Sequence, residues 1–126
     1  MHELSIAASV VEIARERSAA AGGRPRRIVL RIGRLAGVSV DALRFGFELL
    51  AEGTPLAGCV LDIEEVPVRV WCGDCNAEVE PPGVQRLACP RCGRPSGDIR
   101  GGRELDFESL ELDDRESGRP GGGVRP

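Results

Sequence analysis

Two C-x-x-C turns, Cys72-Gly-Asp-Cys75 and Cys89-Pro-Arg-Cys92, stand thirteen residues apart, and no other feature limits so narrowly what this chain can fold into. Each turn directs two thiolates the same way, and two facing turns complete a tetrahedron of sulfur. Zn(II) has no ligand-field preference against that geometry and is well served by soft thiolate donors. Gly73 and Gly93 fit tight turns in which backbone amides can also bond the sulfurs. Four thiolates leave no open coordination position, so zinc on Cys72, Cys75, Cys89 and Cys92 is expected to be structural, not catalytic. Two disulfides or a four-thiolate iron centre are the competing readings, and elemental analysis separates zinc from iron. A structural zinc is worth about 10–16 kcal/mol in zinc-finger peptides, enough to stand in for the core that this segment lacks.

That staple matters because the rest of the chain is sparing with bulk. The 126 residues fit one domain, or a small domain with a metal-held appendage. Hydrophobic residues make up 41% but aromatics only 3%, so the core must be thin and built from Leu, Ile, Val and Ala. A net charge of −3 and a pI near 5.3 argue against a protein that embraces a phosphate backbone. All 17 basic residues are Arg. No apolar run approaches the roughly 20 residues that span a bilayer, and Glu12 interrupts what would be the apolar stretch of a signal peptide. A cytoplasmic address is therefore expected. In that reducing compartment paired cysteines are more often metal ligands than disulfides. The fifth cysteine, Cys59, shares an alternating face with Leu61 and Ile63 and is expected to be a small buried hydrophobe.

Periodicity supplies the remaining elements. Ile6, Val10 and Ile13, flanked by Ala7 and Ala14, make an apolar stripe at helical spacing over residues 3–20, and Gly22-Gly23 ends it. Arg27 to Ile32 alternates as a half-buried strand. Ser39 is the N-cap of a second helix in which Val40, Leu43, Phe47 and Leu50 recur at intervals of three and four, with Gly53 and Pro55 as the stop. Cys59 to Glu64 alternates again, continuing through Val66, Val68 and Val70. From Cys72 to Gly102 composition turns to Cys, Gly, Pro and Arg with almost no periodicity, a loop-built module. Leu105 to Leu112 resumes a strand whose apolar face switches from Leu105 and Phe107 to Leu110 and Leu112, as a bulge near Ser109 would produce.

The expected architecture is α+β: two helices and a three-stranded sheet over residues 1–68, completed by a strand at 104–112. A zinc-ribbon domain is inserted at 69–103, and a disordered tail rich in Gly and Pro runs over 113–126.

His2 is the one histidine, and its position enlarges its chemistry. The amine of Met1, the backbone nitrogen of His2 and the His2 imidazole are near enough along the chain to chelate one ion. Ni(II) or Cu(II) can displace an amide proton and accept a square-planar nitrogen set, from which Zn(II) gains little.

At this point the sequence resembles a known family, the hydrogenase/urease nickel-incorporation proteins HypA/HybF. The resemblance rests on Met1-His2-Glu3-Leu4-Ser5, Ile32-Gly33, the run Asp41-Ala-Leu-Arg-Phe-Gly-Phe-Glu48, both C-x-x-C turns, and Glu104-Leu-Asp-Phe-Glu-Ser-Leu-Glu111, in order over residues 1–112. It implies a nickel metallochaperone: an α/β domain that binds transferable Ni(II) at the N-terminus and a zinc domain inserted before the last strand. The implied nickel donors are the His2 imidazole, the backbone nitrogens of His2 and Glu3, and the Met1 amine. It further implies a nickel-handling GTPase of the HypB family as partner. The large subunit of nickel–iron hydrogenase is the implied destination, joined in some bacteria by urease. The chain would be a monomer or weak homodimer with no nucleic-acid partner and no membrane insertion. Some members add an acidic ligand from the loop before the second helix. The matching position here is Ser39, a poor nickel ligand and a good helix cap, with Asp41 two residues away as a substitute carboxylate. The Glu3 side chain is open to three roles: a salt bridge, orientation of a partner, or support for the helix start.

A zinc-ribbon nucleic-acid binder is the alternative, since residues 69–103 hold Arg69, Arg86, Arg91, Arg94, Arg100 and Arg103 against four acidic residues. That stretch lacks aromatics beyond Trp71 for base stacking. An enzyme is disfavoured: there is no Ser-His-Asp or Cys-His constellation and no phosphate loop.

Overall fold

The computed structural model describes residues 2–113; all of the expected tail except Asp113 lies outside them. In chain order the elements are α1 (His2–Ala21), β1 (Arg24–Gly33), α2 (Val40–Ala51), β2 (Val60–Val66), β3 (Arg69–Cys72), β4 (Ala77–Val79), β5 (Ile99–Gly101) and β6 (Leu105–Asp113). They form two three-stranded sheets, ordered β2-β1-β6 and β4-β3-β5. The described chain divides into two compact units, one holding residues up to Leu30, Val38–Ile63 and Phe107 onward, the other Arg31–Gly37 and Glu64–Asp106.

In the first unit α1 buries Ala7, Val10, Val11, Ala14 and Ser18, a stripe recurring every three or four residues. Its small members let α2 approach closely: a Cβ added to Gly46 would lie 3.3 Å from Leu4 and 3.5 Å from Ala7. The buried Ser18 hydroxyl donates to the Ala14 carbonyl at 2.6 Å, which satisfies it within the helix. Gly22, with φ 76°, takes the left-handed position after α1 and donates its N–H to Ser18 O at 2.9 Å. Ser39 caps α2 as expected, its hydroxyl accepting from Ala42 N–H at 3.2 Å. The inward face of α2 is Leu43, Gly46, Phe47 and Ala51. Leu50, expected inside, is exposed because Ala51 takes the last inward position. On β1, Ile28, Leu30 and Ile32 are buried as the alternation requires. On its other face Arg27 pairs with Asp62 of β2. Phe107 of β6 is half-buried beneath the Arg17 guanidinium, 5.0 Å from the ring centre. Cys59 departs from expectation: it precedes β2 and is half-buried, and burial pushes its thiol pKa up.

The second unit contains more sheet than its composition suggests. Within the stretch expected to be loops, β4 pairs antiparallel with β3 (Val70 opposite Val79, Cys72 opposite Ala77) and β5 pairs on the other side, with an irregularity between Arg69 and Val70. Strands of three residues are too short to show a period, so only the ladder reveals them. Val68, Val70, Cys72, Val79 and Cys89 form a small core, with Leu35, Cys75, Leu87 and Ile99 packed against it. Leu35 belongs here because backbone bonds lace its loop in place: Gly33 N–H to Glu104 O at 2.8 Å, Arg34 N–H to Val66 O at 3.0 Å and Leu35 N–H to Gly102 O at 2.7 Å. Gly33 passes so near Gly102 that an added Cβ would sit 2.0 Å from its carbonyl oxygen. The pair Ile32-Gly33 thus carries a packing requirement that only glycine meets.

Candidate metal centres

The four paired cysteines converge. Their sulfurs all lie within 4.8 Å of one another; Cys72 and Cys92 are 3.6 Å apart, Cys75 and Cys89 3.8 Å. A tetrahedron with metal–sulfur bonds of about 2.3 Å has sulfur–sulfur edges of roughly 3.8 Å, so the cluster fits a tetrahedral thiolate ion without rearrangement.

The backbone that sets this geometry is nearly symmetric. The residue after each pair, Asn76 (φ 54°) and Gly93 (φ 78°), adopts the left-handed conformation, which Asn and Gly tolerate best. Of the two glycines expected in tight turns, Gly93 takes a positive φ, whereas Gly73 does not and has open space at its Cα. The informative signal was Asn76, one position past the first pair. Cys75 N–H points at Cys72 Sγ and Arg91 N–H at Cys89 Sγ, each at 3.4 Å. Cys89 N–H donates to Arg94 O at 2.9 Å, and Gly93 N–H returns to Cys89 O at 2.8 Å. Across the two turns Arg94 Nε meets Asp74 at 2.5 Å.

Electrostatics follow from this crowding. The backbone N–H groups of Cys92 and Arg91 lower the Cys89 thiol to about 7. Its hydrogen bond to Cys89, together with burial, pushes Cys75 up to about 12. Four sulfurs so close cannot all ionise unless a cation sits among them. The donor set therefore suits a closed, resident divalent ion.

Three of the six arginines that raised the nucleic-acid alternative are engaged in ion pairs. Arg69 pairs with Glu78, Arg94 with Asp74 and Arg100 with Asp98. Trp71, the one aromatic available for stacking, lies 5.0 Å below the Arg100 guanidinium.

At the other candidate centre, α1 begins at His2, whose side chain is 59% exposed. The first N–H groups of a helix have no intrahelical acceptor, so the backbone nitrogens of residues 2 and 3 are not held in the ladder. Glu3, whose role was open, turns back: its carboxylate accepts the Ser39 N–H at 2.9 Å and lies 4.0 Å from His2 Nε2. Those contacts tie the start of α1 to the cap of α2. The Ser39 N–H, then Glu3's own N–H, lower the Glu3 carboxyl to about 2. Ser39 thus stands where an acidic loop ligand was anticipated, but both its groups are committed, the amide to Glu3 and the hydroxyl to the helix cap. Asp41 is exposed in the first turn of α2. Met1 is outside the described residues.

Fold and sulfur cluster together define a two-unit α+β protein built around a zinc-ribbon-type metal module. The chain belongs to the HypA family, described as hydrogenase/urease nickel incorporation metallochaperones, which matches residues 1–112. The hydrogenase maturation factor HypA of Chloroflexus aurantiacus is 58% identical over 112 residues, covering 88% of this chain and 98% of that relative. Among solved structures, one described as HypA protein aligns with a TM-score of 0.63 at 25% identity, over 89% of this chain and 96% of the other. The nickel metallochaperone HypA of Helicobacter pylori aligns at 0.58 and 24% identity, over 89% and 97%, a likeness of fold. The family is one of metallochaperones for hydrogenase maturation, not of enzymes. No helix among the described residues is long and apolar enough to cross a membrane.

Proposed function

We propose that this chain carries Ni(II) at its N-terminus and hands it on for maturation of nickel–iron hydrogenase, while a structural zinc on Cys72, Cys75, Cys89 and Cys92 stays in place. The family membership of residues 1–112 supports the nickel role, and the observation that carries the site is the exposed His2 at the first turn of α1. The His2 imidazole, the backbone nitrogens of His2 and Glu3 and the Met1 amine supply an all-nitrogen set suited to Ni(II). Glu3 contributes its backbone to the metal, and its side chain holds the loop at Ser39. Few donors on an exposed turn favour release, which a carrier needs and a closed sulfur cage forbids. The family resemblance implies a nickel-handling GTPase of the HypB family as partner, and any GTP hydrolysis is assigned to it, since no phosphate-loop motif stands in this sequence. Hydrogenase large subunit is the destination, with urease a second one where it occurs, and the setting is the cytoplasm.

Calorimetric Ni(II) titration of untagged protein beside His2→Ala tests this. The substitution is expected to abolish high-affinity nickel binding while zinc remains at one per chain by elemental analysis. Protons compete with the metal for nitrogen donors, so acidification weakens the wild-type titration as well. Equal nickel binding by the two proteins removes the N-terminal site.

A further inference from the structure

The four sulfurs of the cysteine cluster are unequally protected. Cys72 and Cys89 are each 2% exposed and belong to the small core, Cys75 is half-buried, and Cys92 is exposed. The fifth thiol, Cys59, is half-buried in the other unit. A ligating sulfur is already a thiolate, so access decides which one a dissolved oxidant meets first. That sulfur is Cys92. The Arg94 guanidinium, held by Asp74 at 2.5 Å, is near enough to act electrostatically on Cys92. An exposed thiolate beside a cation is the setting in which cysteines react.

A second sulfur is in reach. Cys72 Sγ lies 3.6 Å from Cys92 Sγ, across the two turns. A disulfide brings its sulfurs to about 2.05 Å, so closure takes a movement of roughly 1.5 Å. Cys92 can supply it, because it stands in an exposed turn followed by Gly93 at φ 78°. Cys72 is fixed at the end of β3, paired with Ala77 of β4.

We infer that Cys92 is a peroxide-sensitive thiolate which Cys72 resolves, so that oxidation opens the sulfur centre and unlocks the second unit. The inference rests on the zinc reading above. In the first step the Cys92 thiolate attacks one oxygen of hydrogen peroxide. The O–O bond breaks, leaving a sulfenic acid on Cys92 and a hydroxide. In the second, the Cys72 thiolate attacks the Cys92 sulfur, an S–S bond forms and a second hydroxide leaves. Two electrons pass from the two sulfurs to the peroxide, and two solvent protons turn the hydroxides into water. Cys75 and Cys89 then remain as the only donors, half of what a closed tetrahedral site needs, and the zinc is lost. Because Cys72 is also a core residue, oxidation disturbs packing and metal together.

The test uses the full, untagged chain and hydrogen peroxide as probe. Elemental analysis first counts zinc: a chain that holds none sinks the zinc reading and this inference with it, whereas zinc that is present but retained sinks the inference alone. After one equivalent of peroxide, free thiols are alkylated and the chain is digested with trypsin. Cleavage after Arg69, Arg86 and Arg91 separates peptide 70–86, with Cys72 and Cys75, from 87–91, with Cys89, and from the peptide that begins at Cys92. The expected product joins 70–86 to the Cys92 peptide, with fragmentation placing the bond on Cys72. Zinc appears in a chromogenic chelator in step with that disulfide, Trp71 fluorescence changes, and Cys59 is recovered alkylated. Cys92→Ser loaded with zinc is expected to lose it at least ~10-fold more slowly, since the remaining sulfurs are shielded, while Cys59→Ser keeps the wild-type rate. Should Cys92→Ser fail to hold zinc, the wild-type peptide map decides. A bond from Cys92 to Cys89 within its own turn, oxidation of Cys59 before Cys92, or zinc retained after Cys92 is oxidised each overturns the inference.

Discussion

The two candidate metal centres solve opposite problems with different parts of the backbone. The sulfur centre recruits side chains from two turns, surrounds them with backbone amides and ties the turns together through Asp74 and Arg94. The N-terminal centre, as proposed, would rely on one exposed imidazole and on nitrogens that a helix start leaves outside its own ladder. A closed cage holds its ion and folds its surroundings; an open turn can give its ion away. The comparison breaks most directly if the sulfur centre proves dispensable. The small core around it has five buried residues, two of them the proposed ligands Cys72 and Cys89, so a metal there would be part of the core. Treatment with a strong chelator, or Cys89→Ser, is expected to remove the stabilisation of about 10–16 kcal/mol typical of structural zinc and to unfold that unit first. Trp71 lies in this unit and is the only tryptophan, so its fluorescence reports the loss, while far-ultraviolet dichroism from α1 and α2 persists. Coincident loss of both signals would show that the first unit has no stability of its own.

A second asymmetry lies within the second unit, in how its two parts use glycine. At Gly33 the backbone itself is the obstacle: an added methyl would lie 2.0 Å from Gly102 O and 2.6 Å from Arg103 N, with no flexible side chain to yield. Gly73, inside the first cysteine turn, has nothing within 4 Å. Gly33→Ala is therefore expected to destabilise by about 3 kcal/mol, at the upper end of overpacking effects. Gly73→Ala should stay within about 0.5 kcal/mol, as for open surface positions. Denaturant melts of the zinc-loaded variants measure both. Equal effects would mean that the turn around the metal is as tightly constrained as the laced loop at residues 33–35.

The same contrast explains what was legible in the sequence. Helices α1 and α2, the cap at Ser39, the alternation in β1 and the sulfur cluster each follow from spacing within a short window, and the structure has them. β4 and β5 were hidden because three-residue strands carry no period and depend on their neighbour β3. Leu50 misled because it has inward-facing spacing but sits in the last turn of α2, where it is left 37% exposed. The contact from Glu3 to Ser39 joins positions 36 residues apart. Nothing local distinguishes that glutamate from one that merely suits a helix start.

Glu3 offers the mildest and most discriminating test. Its carboxyl is lowered to about 2 from 4.5, chiefly by the Ser39 N–H. A folded-state pKa below the unfolded value means that the ionised group stabilises the fold at pH above the unfolded value, and that this contribution fades as pH falls towards the folded one. Glu3→Gln keeps an oxygen that can accept from Ser39 but removes the charge, so the variant should melt below the wild type near neutral pH. Their difference should shrink as pH drops from about 5 towards 2. Acid also strips metal from the sulfur centre, but it does so in both proteins, so subtracting the two melting curves isolates Glu3. A difference that stays constant with pH would assign the effect to lost hydrogen-bond geometry instead of charge. A charge effect accompanied by unchanged nickel titration would place the side chain in the scaffold that presents His2, distinct from the nitrogens proposed to hold the ion.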